Sequence, residues 1–178
     1  INVKAFSFIF VFLILSIFFY YPIIFGEVPF NGNLLVSFFT PWKMVVAFKF
    51  MGVDEVREFF PLLDFTYDSF RSGTIPLWNP YNFSGYSHIG NWASAVFYPI
   101  HLSMFILSKT WVLILLKLSV IVLSGSLTYL YLRTLKLSEI SSYFGAFAFA
   151  FSSTMQIWNI EILQSVHAFL WLPLALFS

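Results

Sequence analysis

Apolar runs alternate with polar intervals along the chain, and the runs are of membrane length. Residues 5–25 carry no charge, and Ser7 and Ser16 are their only clearly polar side chains. At helical rise this run covers about 30 Å, the thickness of a bilayer's hydrocarbon core. Lys4 ahead of it also suits a signal peptide, but the run is long for one and no small-residue cleavage site follows. Tyr20 and Tyr21 near its end suit an interfacial belt. Residues 110–132 form a second candidate span, interrupted by Lys117 and closed by Arg133 and Lys136. Residues 140–157 form a third, with Gly145, Ala146, Ala148 and Ala150 as small residues for close helix packing. A fourth begins within 166–178. The pattern predicts an all-α polytopic membrane protein in which residues 1–178 make up part of one transmembrane domain. Both ends read as cut, since the chain starts without Met and stops inside an apolar run. This predicts the N-terminal part of a longer protein.

The interval 26–109 has a different pattern. Val56, Phe59, Phe60, Leu63, Tyr67 and Phe70 recur at spacings of three and four, which predicts one apolar stripe on an amphipathic helix lying at the membrane surface. Pro61 predicts a kink there or two short helices, and Gly73 suits the position just past the helix end. Residues 93–108 are apolar but short and broken by Pro99, which predicts an interfacial or re-entrant helix. Lys4 and the Arg133/Lys136 pair vote for the cytoplasmic side, which places the long loop outside the cell.

Composition narrows the function classes. The chain is 60% hydrophobic and 10% charged, against about a quarter charged in soluble domains, so lipid is the main expected partner. A net charge of +1 gives no electrostatic case for nucleic acid. Without cysteine there are no disulfides and no thiolate metal sites. His88, His101 and His167 lack ligand spacing, so no metal site is expected from them. No phosphate-binding loop, dinucleotide fingerprint or zinc-protease motif is present.

Chemistry has several candidate carriers. Asp54 and Glu55 stand at the start of the amphipathic helix, where a carboxylate can act as a general base or hold a divalent cation. Acidic residues there also simply favour the helix dipole. Arg57, Arg71 and Lys43 suit a lipid phosphate, or ordinary headgroup contact. Trp78, Tyr81, Phe83, Trp92 and Tyr98 suit sugar stacking, or an interfacial aromatic belt. Lys117 within a span should face a cavity, pair, or snorkel. Glu161 and His167, near a span end, suit the lining of a polar cavity.

Three strings then carry a resemblance: Gly73-Thr74-Ile75-Pro76-Leu77-Trp78-Asn79-Pro80-Tyr81, Phe83-Ser84-Gly85, and Ser94-Ala95-Val96-Phe97-Tyr98-Pro99. Together with Asn33–Ser37, Pro41-Trp42, the Asp54–Pro61 segment and Ala168–Pro173, they resemble the bacterial YfhO-like membrane proteins of the GT-C superfamily of glycosyltransferases. The resemblance covers nearly the whole chain. It implies a GT-C-like fold with a large first extracytoplasmic loop. The implied activity is transfer of a sugar from a polyprenyl-phosphate donor to a glycan, teichoic acid or protein acceptor of the cell envelope, in a multi-pass protein of the cell membrane. It implies Asp54 as base, with Glu55 as second choice. Arg57, Arg71, Lys43, Trp78, Asn79, Tyr81 and His167 are then substrate-binding candidates, with a divalent cation as an open question. Asn33 stands where the family pattern suggests an acidic residue, and Gly85-Tyr86-Ser87 departs from an expected Gly-Thr-Pro. A transporter or flippase of lipid-linked sugars, or a catalytically inactive scaffold, is the alternative.

Overall fold

The structure, a computed structural model, describes residues 7–37, 53–161 and 166–177. Lys43 and the Pro41-Trp42 pair lie outside the described residues. The chain divides into two compact units. One comprises residues 1–29, 116–159 and 165–178, the other residues 30–115 and 160–164.

The first unit is helical. Its elements are α1 (Ser7–Phe19), the part of α3 (Lys109–Thr134) from Leu116 onward, α4 (Glu139–Ala150), α5 (Ser153–Glu161) as far as Asn159, α6 (Val166–Leu170) and α7 (Leu172–Phe177). One core cluster joins Phe8 and Phe12 of α1 to Ile121 and Tyr129 of α3 and Ala146 and Ala150 of α4. The Phe8 and Tyr129 rings stack at 5.0 Å. Gly125 permits the close approach, since a Cβ there would lie 2.4 Å from Phe12 Cδ1. A second cluster joins Val120, Met155, Val166 and Leu170. Lys117 is buried, and its ammonium donates to the Asn159 carbonyl. Asn159 Nδ2 in turn donates to the Tyr20 hydroxyl at 2.9 Å. A charge on an apolar helix is thus met by a backbone carbonyl oxygen, on a residue whose side chain is itself held by Tyr20.

The expected polytopic GT-C-like fold is corrected here. Among the described residues, α3 alone is long and apolar enough to cross a membrane. Its 26 residues cover about 39 Å. The run at 5–25 stops as α-helix at Phe19. Pro22 sits at the start of a 3₁₀ turn (Tyr21–Phe25), and Gly26 ends it in the left-handed region. The run at 140–157 is broken at Phe151 and Ser152, so α4 has 12 residues and covers about 18 Å. Ser152 Oγ accepts from Met155 N and starts α5 as a separate helix. The described part of the run at 166–178 folds as two short helices, α6 and α7, with Pro173 at the second position of α7. Hydropathy averaged over these segments does not register the turns and caps that cut their helical continuity.

The second unit is built around α2 (Phe60–Arg71). A π turn at Glu55–Phe59 runs straight into it, and Phe60 N donates to the Glu55 carbonyl. Two helical elements of different winding therefore meet just before Pro61. Pro61 falls in the first turn of α2, where its missing N–H costs little. Val56, Phe59, Leu63 and Phe70 of the expected stripe are buried, and Leu62 and Thr66 join them. The stripe is therefore covered by protein, which corrects its expected role as a lipid-facing surface. Phe59 meets Trp92 at 6.3 Å, and Phe70 stacks on Phe105 at 4.9 Å. Residues 93–108 form 3₁₀ turns at Trp92–Ser94 and Pro99–Phe105. A two-stranded hairpin follows α2. Strand β1 (Trp78–Asn79) pairs antiparallel with β2 (Tyr86–Ser87), with Trp78 opposite Ser87.

Candidate functional site

A polar cleft of the second unit lies between the π turn and the hairpin loop, with a volume of about 610 Å³. Asp54, Arg57 and Glu58 form one wall. Their spacing of three and four residues puts them on one helical face. Asp54 makes no capping hydrogen bond with its side chain, so it does not serve as an ordinary helix cap. Asn82, Phe83 and Tyr86 from the hairpin, with Asn91, form the opposite wall, over Leu62. Two carboxylates, one guanidinium, two amides and two aromatic rings therefore line one cleft. Carboxylates and amides bond sugar hydroxyls, and rings offer apolar faces to stack on them.

The hairpin loop is shaped by local bonds. Asn79 is buried, and its Oδ1 accepts from Tyr81 N at 3.0 Å. Gly85 N donates to the Asn82 carbonyl at 2.8 Å. Phe83, Ser84 and Gly85 follow one another at positive φ, of 51°, 66° and 101°. For Phe and Ser this conformation is uncommon and stores strain. It leaves the Phe83 ring 98% exposed on the cleft wall. The turn also needs glycine at its end, for backbone and for space. A Cβ on Gly85 would lie 2.4 Å from Trp78 Nε1. Gly85→Ala is therefore expected to displace the Trp78 indole and to cost at least about 1–2 kcal/mol for the backbone alone. A urea unfolding midpoint and Trp emission maximum both equal to wild type would contradict this.

The other candidates are placed differently. Glu55, next to Asp54, is buried away from the cleft lining. Its Oε2 accepts from Asn31 N at 3.1 Å and Asn31 Nδ2 at 2.6 Å, and Asn31 Nδ2 also donates to the Ile160 carbonyl. Glu55 thus anchors the Asn31 loop. Asn33 is half-buried in the 3₁₀ turn Gly32–Ser37. Arg71 donates to the Phe105 carbonyl at 2.9 Å and belongs to the far end of α2. Trp78 is exposed, with its ring against Gly85. Tyr81 is exposed and stands edge-on to Phe65 at 5.8 Å. His167 belongs to the other unit, buried in α6. Of the residues singled out in the sequence, Asp54, Arg57 and Phe83 are brought together in this cleft. Glu58, Asn82, Tyr86 and Asn91 join them. Glu58 could have been found from its four-residue spacing to Asp54, but the amides became visible only with the hairpin.

Two histidines are buried in the same unit. His88 is buried, with Nε2 2.8 Å from Thr66 Oγ1. The Thr66 hydroxyl spends its proton on the Leu62 carbonyl at 2.9 Å. His88 must therefore donate from Nε2, leaving Nδ1 unprotonated in the neutral ring. Nδ1 is buried without a hydrogen-bond partner, and burial pushes the pKa of His88 down. His101 is fully buried against Tyr98, their rings 5.9 Å apart at 82°. Among the described residues, no three of His, Cys, Asp and Glu gather as a metal site. No protein family, curated protein or solved structure matches this chain.

Proposed function

We propose that this protein works at a membrane face as a sugar transferase, moving a sugar from a polyprenyl-phosphate donor to an acceptor hydroxyl. The observation that carries the reading is the cleft in which Asp54, Arg57 and Glu58 face amides and aromatic rings. The same chain has a helix long and apolar enough to cross a membrane, which supports a setting where lipid-linked substrates are at hand. Arg133 in the last turn of that helix and Lys136 just past it favour the cytoplasmic side for its end, which leaves the residues before it outside.

In the proposed reaction Asp54 takes the proton of the acceptor hydroxyl. The freed oxygen attacks the anomeric carbon from the face opposite the phosphate. The bond from that carbon to the phosphate oxygen breaks, and its electron pair leaves with the lipid phosphate. Arg57 offsets the charge gained there through its planar fork of donors. The anomeric configuration is inverted, and Asp54 later returns its proton to water.

The test is a transfer assay on the membrane-embedded protein with radiolabelled polyprenyl-phosphate hexoses, with magnesium or with chelator. Transfer of label to a sugar acceptor is expected. Complete retention of label on the lipid in every combination would remove the reading.

A further inference from the structure

The cleft beside the π turn has a neighbour of about 490 Å³ farther along α2. Both are lined by Leu62 and Asn82, so they are chambers of one groove between α2 and the hairpin loop. Each has the size of a small-ligand site, about 300–1,000 Å³. The second chamber repeats the chemistry of the first. Asp64 and Asp68 supply carboxylates, Asn79 and Asn82 line it as amides, and Tyr81 supplies an aromatic face. The Tyr81 ring is 80% exposed but held in place, edge-on to Phe65 and with its backbone N bonded to Asn79 Oδ1.

The charge of the groove selects among acceptors. Asp54, Glu58, Asp64 and Asp68 line it with Arg57, and Lys109 bonds Asp64 and Asp68 from beside it. Four carboxylates outnumber two cations, so a polyanionic chain is repelled along the length of the groove. An uncharged sugar chain meets hydroxyl-bonding groups and an aromatic platform in each chamber.

Resting on the sugar-transferase reading, we infer that the acceptor is an uncharged oligosaccharide seated across both chambers. Its reacting end lies at Asp54 and its next residue stacks on Tyr81.

The experiment uses the whole protein in nanodiscs. Binding is followed by calorimetry for glucose and N-acetylglucosamine, for their α- and β-linked oligomers of two to four residues, and for a glycerol-phosphate tetramer. At least one neutral series is expected to gain tenfold or more in affinity from one residue to two. The glycerol-phosphate tetramer is expected to bind less tightly than that series. Tyr81→Ala should erase the gain with length, and Tyr81→Phe should keep it. Equal affinity for one and two residues, an unchanged length dependence in Tyr81→Ala, tighter binding of the glycerol-phosphate tetramer, or no saccharide binding at all would each overturn the inference. Sugar transfer onto glycerol phosphate with no length effect would overturn it while leaving the transferase reading intact. Loss of transfer to every acceptor would remove both.

Discussion

Asp54→Asn is expected to lower sugar transfer by about 10²- to 10⁴-fold, the usual contribution of a positioned general base. Asparagine keeps the size of the side chain and its place on the cleft wall, but it cannot take a proton. Donor binding should change little, because Arg57 and the aromatic rings remain in place. The loss therefore belongs in kcat. Two neighbouring carboxylates sharpen the test. Glu58 lines the same cleft, so Glu58→Gln should cost less than Asp54→Asn if Asp54 is the base. Glu55→Gln should behave in another way. Its carboxylate is buried and accepts two hydrogen bonds from Asn31. Weakening them costs roughly 1–3 kcal/mol of stability, so unfolding should come earlier while transfer per folded molecule persists. Undiminished turnover in Asp54→Asn, measured with saturating donor, would discard Asp54 as the base.

That contrast between residues 54 and 55 shows what a sequence can and cannot reveal. Both are acids at the start of one helix, and composition cannot rank them. Their separation comes from helical phase, which turns one toward the cleft and the next into the protein. Spacing did reveal the helix itself, because Val56, Phe59, Leu63 and Phe70 share a buried side. It missed Leu62 and Thr66: Leu62 lies at the edge of the stripe, and Thr66 is polar but spends its hydroxyl proton on the Leu62 carbonyl. Asn82 and Asn91 were illegible for a different reason. Each reaches the cleft through turns closed by backbone bonds, Gly85 N to the Asn82 carbonyl and Ser94 N to the Asn91 carbonyl. No periodicity encodes those bonds. The membrane-length runs misled because hydropathy averages over breaks. Ser152 and Pro22 hardly change an apolar average, yet each separates helical segments. The demand that Lys117 find a partner was legible, but the Asn159 carbonyl that meets it came from 42 residues away.

Acid should destabilise the unit that holds the cleft, with His101 as the main source. Its imidazole has no solvent exposure. Burial, partly offset by the Ala95 carbonyl, pushes its pKa from 6.5 down to about 4. Between these values the unfolded chain binds a proton that the folded one refuses, so stability rises with pH across that window. As pH falls from about 6.5 to about 4 the folded state loses roughly 3 kcal/mol, at 1.36 kcal/mol per pH unit. The burial of His88 acts in the same direction. Urea midpoints read from Trp fluorescence at pH 7.5, 6, 5 and 4 measure the slope. His101→Leu removes the titrating ring and keeps the site apolar, while the carboxylates and His88 are common to both proteins and drop out of the comparison. The difference in stability between wild type and variant should therefore shift with pH only between about 4 and 6.5. A difference that stays constant from pH 7.5 to 4 would mean that His101 carries its proton as readily in the folded protein as in the unfolded chain.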